Sequence, residues 1–319
     1  MALRRLIGFA SALVLPAAAL AQDYPARQVT MIVPFAAGGP VDNGGRVFAD
    51  AMRRQLGSAV LVDNRPGAGG IVGTKMVIAA KPDGYTLLIA SPGPLIVSAA
   101  AGAGVDPDTQ LAPVGLISES PQIMVASKTV KADTLSEFIA FAKSNAGTLN
   151  YSSAGIGTMP HLAGEMFKSI TGIDMLHVPY RGPGAALPDL ISGRNQVMIG
   201  DITAMLPMLE GGRIKSYAIT ATKRSELVPN VPTTTEAGLP QLVTRNWNAL
   251  MGPAGLPQPI VARLNEAMRA ALKDADYREA MRKQGAVPSE SSAEHLIKFI
   301  VEERGRLAPI VKSIGLKLE

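Results

Sequence analysis

Short apolar runs alternate along the chain with amphipathic stretches of helical length. Uninterrupted apolar runs are typical of strands buried on both faces, and apolar residues three and four apart are typical of helices. The runs predict strands near residues 29–35, 59–62, 85–90, 123–127, 149–152, 175–178, 197–199 and 214–221. Helices are predicted near 42–56, 70–80, 135–144, 161–170, 257–272, 277–284 and 291–314. Buried strands that alternate with helices indicate an α/β fold with largely parallel sheets.

No low-complexity linker divides the chain into separate domains. Two lobes joined by strands that cross between them would hide their boundary in this way, since domain boundaries usually fall in polar linkers. Candidate crossings lie near residues 120–127 and 223–248. We therefore predict a discontinuous lobe 1, made of residues 22–122 and 229–319, around a lobe 2 made of residues 123–228.

The N-terminus has the three parts of a secretory signal peptide. Two arginines, Arg4 and Arg5, precede an almost wholly apolar run over 6–20, and an Ala-Leu-Ala at 19–21 offers small residues for cleavage. The apolar run is shorter than the roughly 20 residues of a spanning helix. A retained membrane anchor is the alternative. We predict that residues 1–21 are removed and that the mature chain lies in the periplasm without a stable membrane anchor.

Composition excludes several classes of protein. The chain has no cysteine, which excludes disulfides, thiolate metal sites and cysteine nucleophiles. Its formal net charge is +5, which falls to +3 once the two signal arginines are lost. The basic residues are scattered and only 4% of residues are aromatic, whereas a nucleic-acid surface needs a basic stripe with stacking rings. We expect no nucleic-acid partner.

Two glycine-rich turns each lie between a predicted strand and a predicted helix. The first contains Gly38 and Gly39, and Asp42 is a candidate N-cap of the helix that follows. The second contains Gly155 and Gly157. Such turns present backbone N–H groups to an anion at the positive end of a helix. An ordinary strand–helix turn with glycine at positive φ is the alternative for each loop alone, but one loop in each predicted lobe favours a bipartite anion site.

The segment from Gly67 to Gly73 is similar to a dinucleotide fingerprint but does not match it. Its spacing is GxGxxxG, where the fingerprint is GxGxxG, and no acidic residue lies about 20 residues further on. The chain also has no GxxxxGK[ST] motif for phosphate and no GxSxG nucleophile elbow. We expect no nucleotide cofactor.

The three histidines, His161, His177 and His295, are too dispersed to indicate a metal cluster. His161 and Glu165 lie four residues apart on a predicted helix, a spacing that could place two metal ligands together or could stabilise the helix. No reactive pair of side chains is evident. We expect no metal, no other cofactor and no enzymatic activity.

Three polar residues at predicted strand ends have two interpretations each. Ser91 could donate to a ligand or be an ordinary loop residue. Asp201 opens a predicted helix, so it could cap that helix or contact a ligand. Arg181 could pair with a carboxylate or be an exposed loop residue.

Ordered motifs along the whole mature chain point to one family. They are YP at 24–25, VPFAAGGPVD at 33–42, VDNRPGAGG at 62–70, KPDGYTL at 81–87, LNYSSAG at 149–155, HLAGE at 161–165, HVPYRG at 177–182, VPTTTEAG at 231–238 and PAGLP at 253–257. With these motifs the chain resembles the Bug/TctC family, the extracytoplasmic solute receptors of tripartite tricarboxylate transporters.

The resemblance implies a type II periplasmic-binding-protein fold, in which two α/β lobes close over a small organic carboxylate. It implies that backbone amides and ordered water of the loops 35–42 and 153–158 hold the carboxylate. The expected ligand-binding residues are Phe35, Ala36, Ala37, Gly38, Gly39, Asp42, Ser91, Ser153, Ala154, Gly155, Gly157, Thr158, His161, Tyr180 and Asp201.

The resemblance also implies delivery of the ligand to the subunits of a membrane transporter, by a receptor that we expect to be a monomer. Two alternatives remain open on the sequence. One is a carboxylate sensor that presents its ligand to a membrane sensor kinase, and the other is an enzyme on the same bilobal fold.

The chain departs from the family pattern at the two loops. Val41 stands where threonine is frequent, Asn-Gly-Gly at 43–45 stands where aliphatic residues are common, Ile156 replaces a polar residue, and Met-Pro at 159–160 replaces small hydroxyl residues. These changes make the expected pocket less polar. They favour an aromatic or longer aliphatic carboxylate over a simple amino acid or a citrate-like ligand.

Overall fold

A computed structural model describes residues 24–289 and 291–318 of the chain. The predicted signal peptide, residues 1–21, lies outside the described residues. Among the helices of the described part, none is long and apolar enough to cross a membrane.

The described residues form strands and helices in the alternation that the sequence predicts. The strands are β1 Val29–Val33, β2 Val60–Asn64, β3 Thr86–Ala90, β4 Leu111–Ser127, β5 Asn150–Ser153, β6 Leu176–Pro179, β7 Val197–Asp201, β8 Ile214–Ile219, β9 Arg245–Pro253 and β10 Val287–Pro288. The α-helices are α1 Pro40–Leu56, α2 Ile71–Ile78, α3 Pro107–Gln110, α4 Leu135–Ser144, α5 Met159–Thr171, α6 Pro183–Ser192, α7 Ile202–Glu210, α8 Gln258–Lys273, α9 Ala275–Lys283 and α10 Ala293–Ser313. A 3₁₀ turn, Ala68–Gly70, and a π-helix, Gly93–Ser98, complete the described structure.

The strands form one curved sheet in the order β2-β1-β3-β9-β4-β7-β5-β6, and β8 and β10 pair with β4 outside this path. The two ends of the sheet are parallel, because β1 pairs in parallel with β2 and β3, and β5 with β6 and β7. The centre is antiparallel at every pairing of β4 and β9. The prediction of largely parallel sheets is therefore wrong for the centre, because β4 and β9 run against the strands beside them.

The long strand β4 links the two parallel ends of the sheet. Its first part pairs with β9, from Leu111 opposite Pro253 to Pro121 opposite Arg245. Its last part, from Gln122 onward, pairs with β7 and β8. This path fits a crossing near residues 120–127, and β9 begins within the second predicted crossing at 223–248. The lobe boundaries drawn from these crossings stay a prediction.

The start of helix α4 is determined by a capping motif in the local sequence. Thr134 accepts a hydrogen bond from the Glu137 amide, while the Glu137 carboxylate accepts from the Thr134 amide, which is a complete capping box. The predicted range 135–144 is confirmed. Helix α1 starts two residues before the predicted residue 42, because Pro40 is suited to the first helical position and Gly39 takes the cap position.

Apolar side chains pack on both faces of the sheet. One cluster lies between β1 and β3 and the helices α1, α8 and α9, with Phe48 and Tyr277 in edge-to-face contact. Another lies between the end of β4, β7 and β8 and the helices α6 and α7. A third, which includes the fully buried Trp247, covers the opposite face along the length of the sheet. Burial on both faces explains why the strands read as uninterrupted apolar runs.

Candidate functional site

A cavity of about 1080 Å³ opens where the loops that follow the parallel strands converge. Its walls come from the loops after β1, β2, β5 and β6, and its floor includes Ser91 just after β3, Asp201 at the end of β7 and Asn246 on β9. In open α/β sheets, ligands bind outside the carboxyl ends of the strands. The position of the cavity is therefore that of a ligand site.

Ten of the fifteen predicted ligand-binding residues line this cavity. They are Phe35, Ala36, Ala37, Gly38, Gly39, Ser91, Ala154, Gly155, Tyr180 and Asp201. The other five are not among the lining residues: Asp42, Ser153, Gly157, Thr158 and His161. The five lie behind the lining loops and hold them through hydrogen bonds described below. Direct contact of any of the fifteen with a ligand stays a prediction.

Five helices begin at the cavity, and none of them has a side-chain cap. The cap positions of α1, α2, α5, α6 and α7 are Gly39, Gly70, Thr158, Gly182 and Asp201. Of the five described helices that begin elsewhere, α3, α4, α9 and α10 are capped by the side chains of Asp106, Thr134, Asp274 and Ser292, and α8, which follows Pro257, has no side-chain cap. The first amides of a helix have no partner within it. All five helices direct the positive ends of their dipoles towards the cavity, where they favour an anion. In α2 the Ile71 and Val72 amides donate to Ala68 O and Gly67 O, so free N–H groups come from the other four helices.

Asp42 orders the loop after β1 from the third position of α1. Its carboxylate accepts hydrogen bonds from Gly38 N at 2.8 Å, Arg46 Nε at 3.0 Å and Asn64 Nδ2 at 2.9 Å. Burial opposes ionisation, but these hydrogen bonds outweigh it and lower the pKa of Asp42. The predicted N-cap role is wrong, because Gly39 holds that position. Asp42 fixes the loop by reaching back to Gly38.

The loop after β5 uses two of its own amides internally. Gly155 N donates to Ser153 Oγ at 3.1 Å, and Gly157 N donates to His161 Nδ1 at 3.2 Å. Thr158, a residue type that usually caps a helix, instead donates its hydroxyl to Gly155 O at 2.6 Å. Among the described residues no partner meets the amides of Ala154 and Ile156. Those two amides, rather than those of the glycines, are the ones this loop can offer to a ligand.

Two stacked imidazoles support this loop from behind. The rings of His161 and His177 lie 4.0 Å apart at 9°, and His177 Nε2 lies 2.7 Å from Ser153 Oγ. Burial lowers the pKa of His161 to about 4 and that of His177 to about 3. Both rings are therefore neutral at pH 7, and a neutral His161 can accept the Gly157 amide.

The pair formed by His161 and Glu165 has a structural explanation other than metal binding. Glu165 accepts hydrogen bonds from Tyr151 at 2.5 Å and from Lys168 at 3.0 Å. Within residues 24–289 and 291–318, no group of three or more histidine or acidic side chains could hold a metal ion.

The loop after β6 contributes one charged residue to the rim. The Tyr180 hydroxyl donates to Asp189 at 2.6 Å and accepts from Asn195 at 2.7 Å, so its polar end is used within the protein. Arg181 lines the cavity, is exposed and forms no ion pair with a described residue. It is placed to attract an anion at the mouth of the cavity.

Asp201 stands at the cap position of α7 without capping it. Its Oδ2 accepts a hydrogen bond from Asn246 Nδ2 at 3.2 Å. Burial raises the pKa of Asp201 to about 6, and the hydrogen bond from Asn246 opposes the rise. Of its two interpretations, the structure does not support the capping role.

Sequence reasoning did not predict the contribution of Gly67–Gly70, whose spacing fails the nucleotide fingerprint. All four residues have positive φ, including Ala68 at +46°, and form a left-handed turn in the cavity wall. A Cβ on Gly69 would lie 2.3 Å from Ile156 O. The turn thus packs against the loop after β5, where Ser98 also donates a hydrogen bond to Gly157 O at 3.3 Å. Four glycines and alanines in a row after Pro66 were a usable signal for such close packing.

The sequence reasoning also missed four other sets of lining residues. These are Asn246, Leu318 near the C-terminus, the first turn of α6 at 182–185, and Ser98 with Ala103. Leu318 is far from the motifs in sequence, and Asn246 lies on β9 between two of them, so only the fold brings both to the cavity.

Comparison with known proteins supports a single family. Residues 45–316 match the family model described as tripartite tricarboxylate transporter family receptor. Protein BugT of Bordetella pertussis is 35% identical over 302 residues, which are 94% of this chain and 93% of BugT. MatC from Rhodopseudomonas palustris, solved with bound malate, is 35% identical with a TM-score of 0.86, over 90% of this chain and 100% of MatC.

Two further solved structures have the same architecture. The R. palustris protein Rpa4515, solved with adipate, is 32% identical with a TM-score of 0.87, over 92% of this chain and 99% of that one. The periplasmic binding protein BugD is 34% identical with a TM-score of 0.85, over 92% of this chain and 99% of BugD. The expected fold, two α/β lobes with a ligand cleft as in periplasmic binding proteins, is confirmed.

Proposed function

The chain belongs to the family of tripartite tricarboxylate transporter receptors, as its resemblance predicted, and on that premise we propose that it captures a small organic carboxylate in the periplasm. In this proposal it delivers the ligand to the membrane subunits of a transporter and carries out no reaction itself. The observation that carries the proposal is the set of five uncapped helix N-termini around one cavity. Such ends stabilise a carboxylate without a dedicated cation.

The walls of the cavity favour a ligand with an apolar body. Phe35, Ile71, Ile156, Met159 and Leu318 all line it. Its volume of about 1080 Å³ is slightly larger than the roughly 300–1,000 Å³ of small-molecule sites. An aromatic or longer aliphatic carboxylate fits this lining better than a compact, fully polar one. The relatives solved with malate and adipate bind carboxylates of different length.

Matched acids and amides test the anion site directly. The test ligands are 3-phenylpropionate and adipate. For whichever of them binds, we expect the affinity to fall at least tenfold when each carboxylate is replaced by an amide. The reason is that helix N–H groups and dipoles favour a charged acceptor. Isothermal calorimetry measures the difference after a thermal-shift screen, in which a ligand at 100 times its Kd stabilises by about 2.7 kcal/mol. Equal affinity for acid and amide would contradict the proposal.

Gly39 offers a matched pair of variants for the same test. Its φ of −79° suits any residue, and a Cβ there would make only an ordinary contact with Ala36 O at 3.4 Å. Gly39→Asp should cap α1 with its own carboxylate and lower affinity for the acid at least tenfold. Gly39→Asn caps the helix without the charge and should lower affinity less. If Gly39→Asp bound the acid as the wild type does, the α1 end would not belong to the anion site.

Transport is tested in cells. Deletion of the gene should abolish uptake of the ligand identified by calorimetry, and the wild-type gene should restore it. Normal uptake with loss of a ligand-dependent transcriptional response would instead support the sensor alternative.

A further inference from the structure

Helix α10 ends in a complete Schellman motif. The Leu316 amide donates to Val311 O at 3.2 Å, and the Gly315 amide donates to Lys312 O at 3.2 Å. Gly315 has a φ of +59°, the left-handed conformation that this motif requires. Leu316 is only 9% exposed and belongs to the same buried apolar cluster as Val311. The direction that the chain takes after α10 is therefore fixed both by hydrogen bonds and by apolar packing.

Leu318 follows this motif and lines the ligand cavity. It packs against the apolar cluster that contains Leu316, whereas Lys317 between the two leucines is exposed. Leu318 Cδ2 lies 3.1 Å from the place that a Cβ on Gly157 would take. The segment after α10 thus reaches the loop after β5, and the Leu318 side chain forms part of the cavity wall there.

Two polar groups beside Leu318 are already paired within the protein. A Cβ on Gly157 would also overlap with Ser98 Oγ, so Ser98 and Leu318 flank the same glycine. The Ser98 hydroxyl donates to Gly157 O at 3.3 Å, and the Gly157 amide donates to His161 Nδ1 at 3.2 Å. Neither donor is left for a carboxylate, and a polar group without a partner is costly to bury. Leu318 is therefore placed to meet the apolar part of a ligand.

We propose that Leu318 is a specificity-determining residue, whose side chain contacts the apolar part of the ligand and limits its length. The inference rests on the proposed function and adds to the site a residue far from the two glycine-rich loops in sequence. Leu318 lies outside the helices and strands of the described structure, so its side chain can be changed without altering one of them. One methylene in a hydrophobic pocket changes the discrimination between two ligands roughly 10–200-fold. Truncation of Leu318 should therefore change which ligand length binds best.

Two series of ligands that grow by one methylene at a time test the inference on the full mature protein. One contains the dicarboxylates from succinate to sebacate, and the other contains the phenyl-substituted acids from benzoate to 5-phenylvalerate. Calorimetry on the wild type identifies the best-bound member of the series that binds. In Leu318→Ala, the affinity for the next longer member relative to that best member should rise at least tenfold. In Leu318→Phe, the affinity for the next shorter member should rise by the same measure.

Two control variants separate a change in specificity from a loss of packing. Leu318→Met keeps the side-chain volume nearly constant and should keep the order of affinities that the wild type shows. Leu61→Ala is the same truncation at a residue of β2 that is 50% exposed and is not among the lining residues of the cavity. It should also keep the wild-type order. Loosened packing alone would weaken the binding of every member alike and leave the order unchanged.

The order of affinities decides between the outcomes. If Leu318→Ala binds all members in the wild-type order, with equal or with uniformly weaker affinity, the inference is overturned while the proposed function stands. Leu318→Phe gives the same decision if Leu318→Ala does not fold, because an unchanged order in that variant also overturns the inference. If the wild type binds no carboxylate at all, the proposed function fails and the inference fails with it.

Discussion

Acidification from pH 7 to pH 5 should act in opposite directions on two buried groups of this site. His161 has a pKa lowered by burial from 6.5 to about 4, and Asp201 has a pKa raised by burial from 3.8 to about 6. Above pH 6.5 the His161 ring is largely neutral in both the folded and the unfolded state. As the pH falls from 6.5 towards 4, the unfolded ring takes up a proton before the folded ring does, so the unfolding free energy decreases. The folded Asp201 carboxyl binds a proton more tightly than the unfolded one. Its contribution to the unfolding free energy is therefore present at low pH and is lost as the pH rises through 6. Acidification therefore destabilises through His161 and stabilises through Asp201.

The magnitudes follow from linkage, at about 1.4 kcal/mol per pKa unit. Between pH 7 and pH 5 the unfolded His161 becomes protonated while the folded one stays neutral, which removes roughly 2 kcal/mol of unfolding free energy. Over the same range the folded Asp201 takes up a proton while the unfolded one stays ionised, which adds roughly 1 kcal/mol. His177, stacked on His161 with its pKa lowered to about 3, adds a loss of the same sign as that of His161.

Variants separate the two effects in urea denaturation at pH 7 and pH 5. His161→Asn retains an acceptor for the Gly157 amide, and its loss of stability on acidification should be smaller than that of the wild type by about 2 kcal/mol. Asp201→Asn should lose more than the wild type, by about 1 kcal/mol. His295→Asn, at an exposed position of α10, is the control for removing an imidazole as such.

Each variant tests one of the two pKa assignments by its loss of unfolding free energy between pH 7 and pH 5. If His161→Asn loses as much stability on acidification as the wild type, then the ring is not held neutral by its burial. If Asp201→Asn loses no more than the wild type, then the floor of the cavity is open to water.

The remaining predictions concern the loops and the N-terminus. Replacing Asp42 with alanine should weaken ligand binding and lower the unfolding free energy by about 1–2 kcal/mol, because three hydrogen bonds that order the loop are lost. Calorimetry and urea denaturation measure both, and a sharp rise in affinity would mean that Asp42 acts mainly by repulsion. Gly69→Ala should lower affinity at least tenfold while the circular dichroism spectrum is retained, because its Cβ would lie 2.3 Å from Ile156 O; wild-type affinity would show that the wall can move. Protein from the periplasm should begin at Gln22, and N-terminal sequencing that reads from Met1 would rule out export with cleavage.

What the sequence predicted well depended on local signals. The range 135–144 of α4 was correct because its capping box lies within four residues. The glycine-rich loop at 35–39 lines the cavity, and the sequence singles it out because a strand, a turn and a helix follow one another there. The sequence also predicts the alternation of strands and helices, because strands that are buried on both faces are uninterrupted apolar runs.

What the sequence did not predict depended on pairing between distant segments. The first part of β4 was missed because Pro113, Gly115 and the polar Ser118 interrupt its apolar pattern, and its partner β9 lies more than a hundred residues away. Asp42 does not cap α1 because Pro40, at the first helical position, moves the helix start two residues earlier than predicted. Which amides of the loop after β5 are free could not be predicted, since His161 reaches Gly157 only in the folded helix.

The left-handed turn at Gly67–Gly70 constrains how this receptor can evolve. At Gly69 the wall is backbone, and a single methyl group would collide with the opposite loop. Mutation therefore cannot reshape the cavity at that point by changing a side chain. Neighbours such as Ile156, Met159 and Leu318 do present side chains to the cavity. A shift in ligand preference during divergence should arise from substitutions at those positions, while the turn is inherited unchanged.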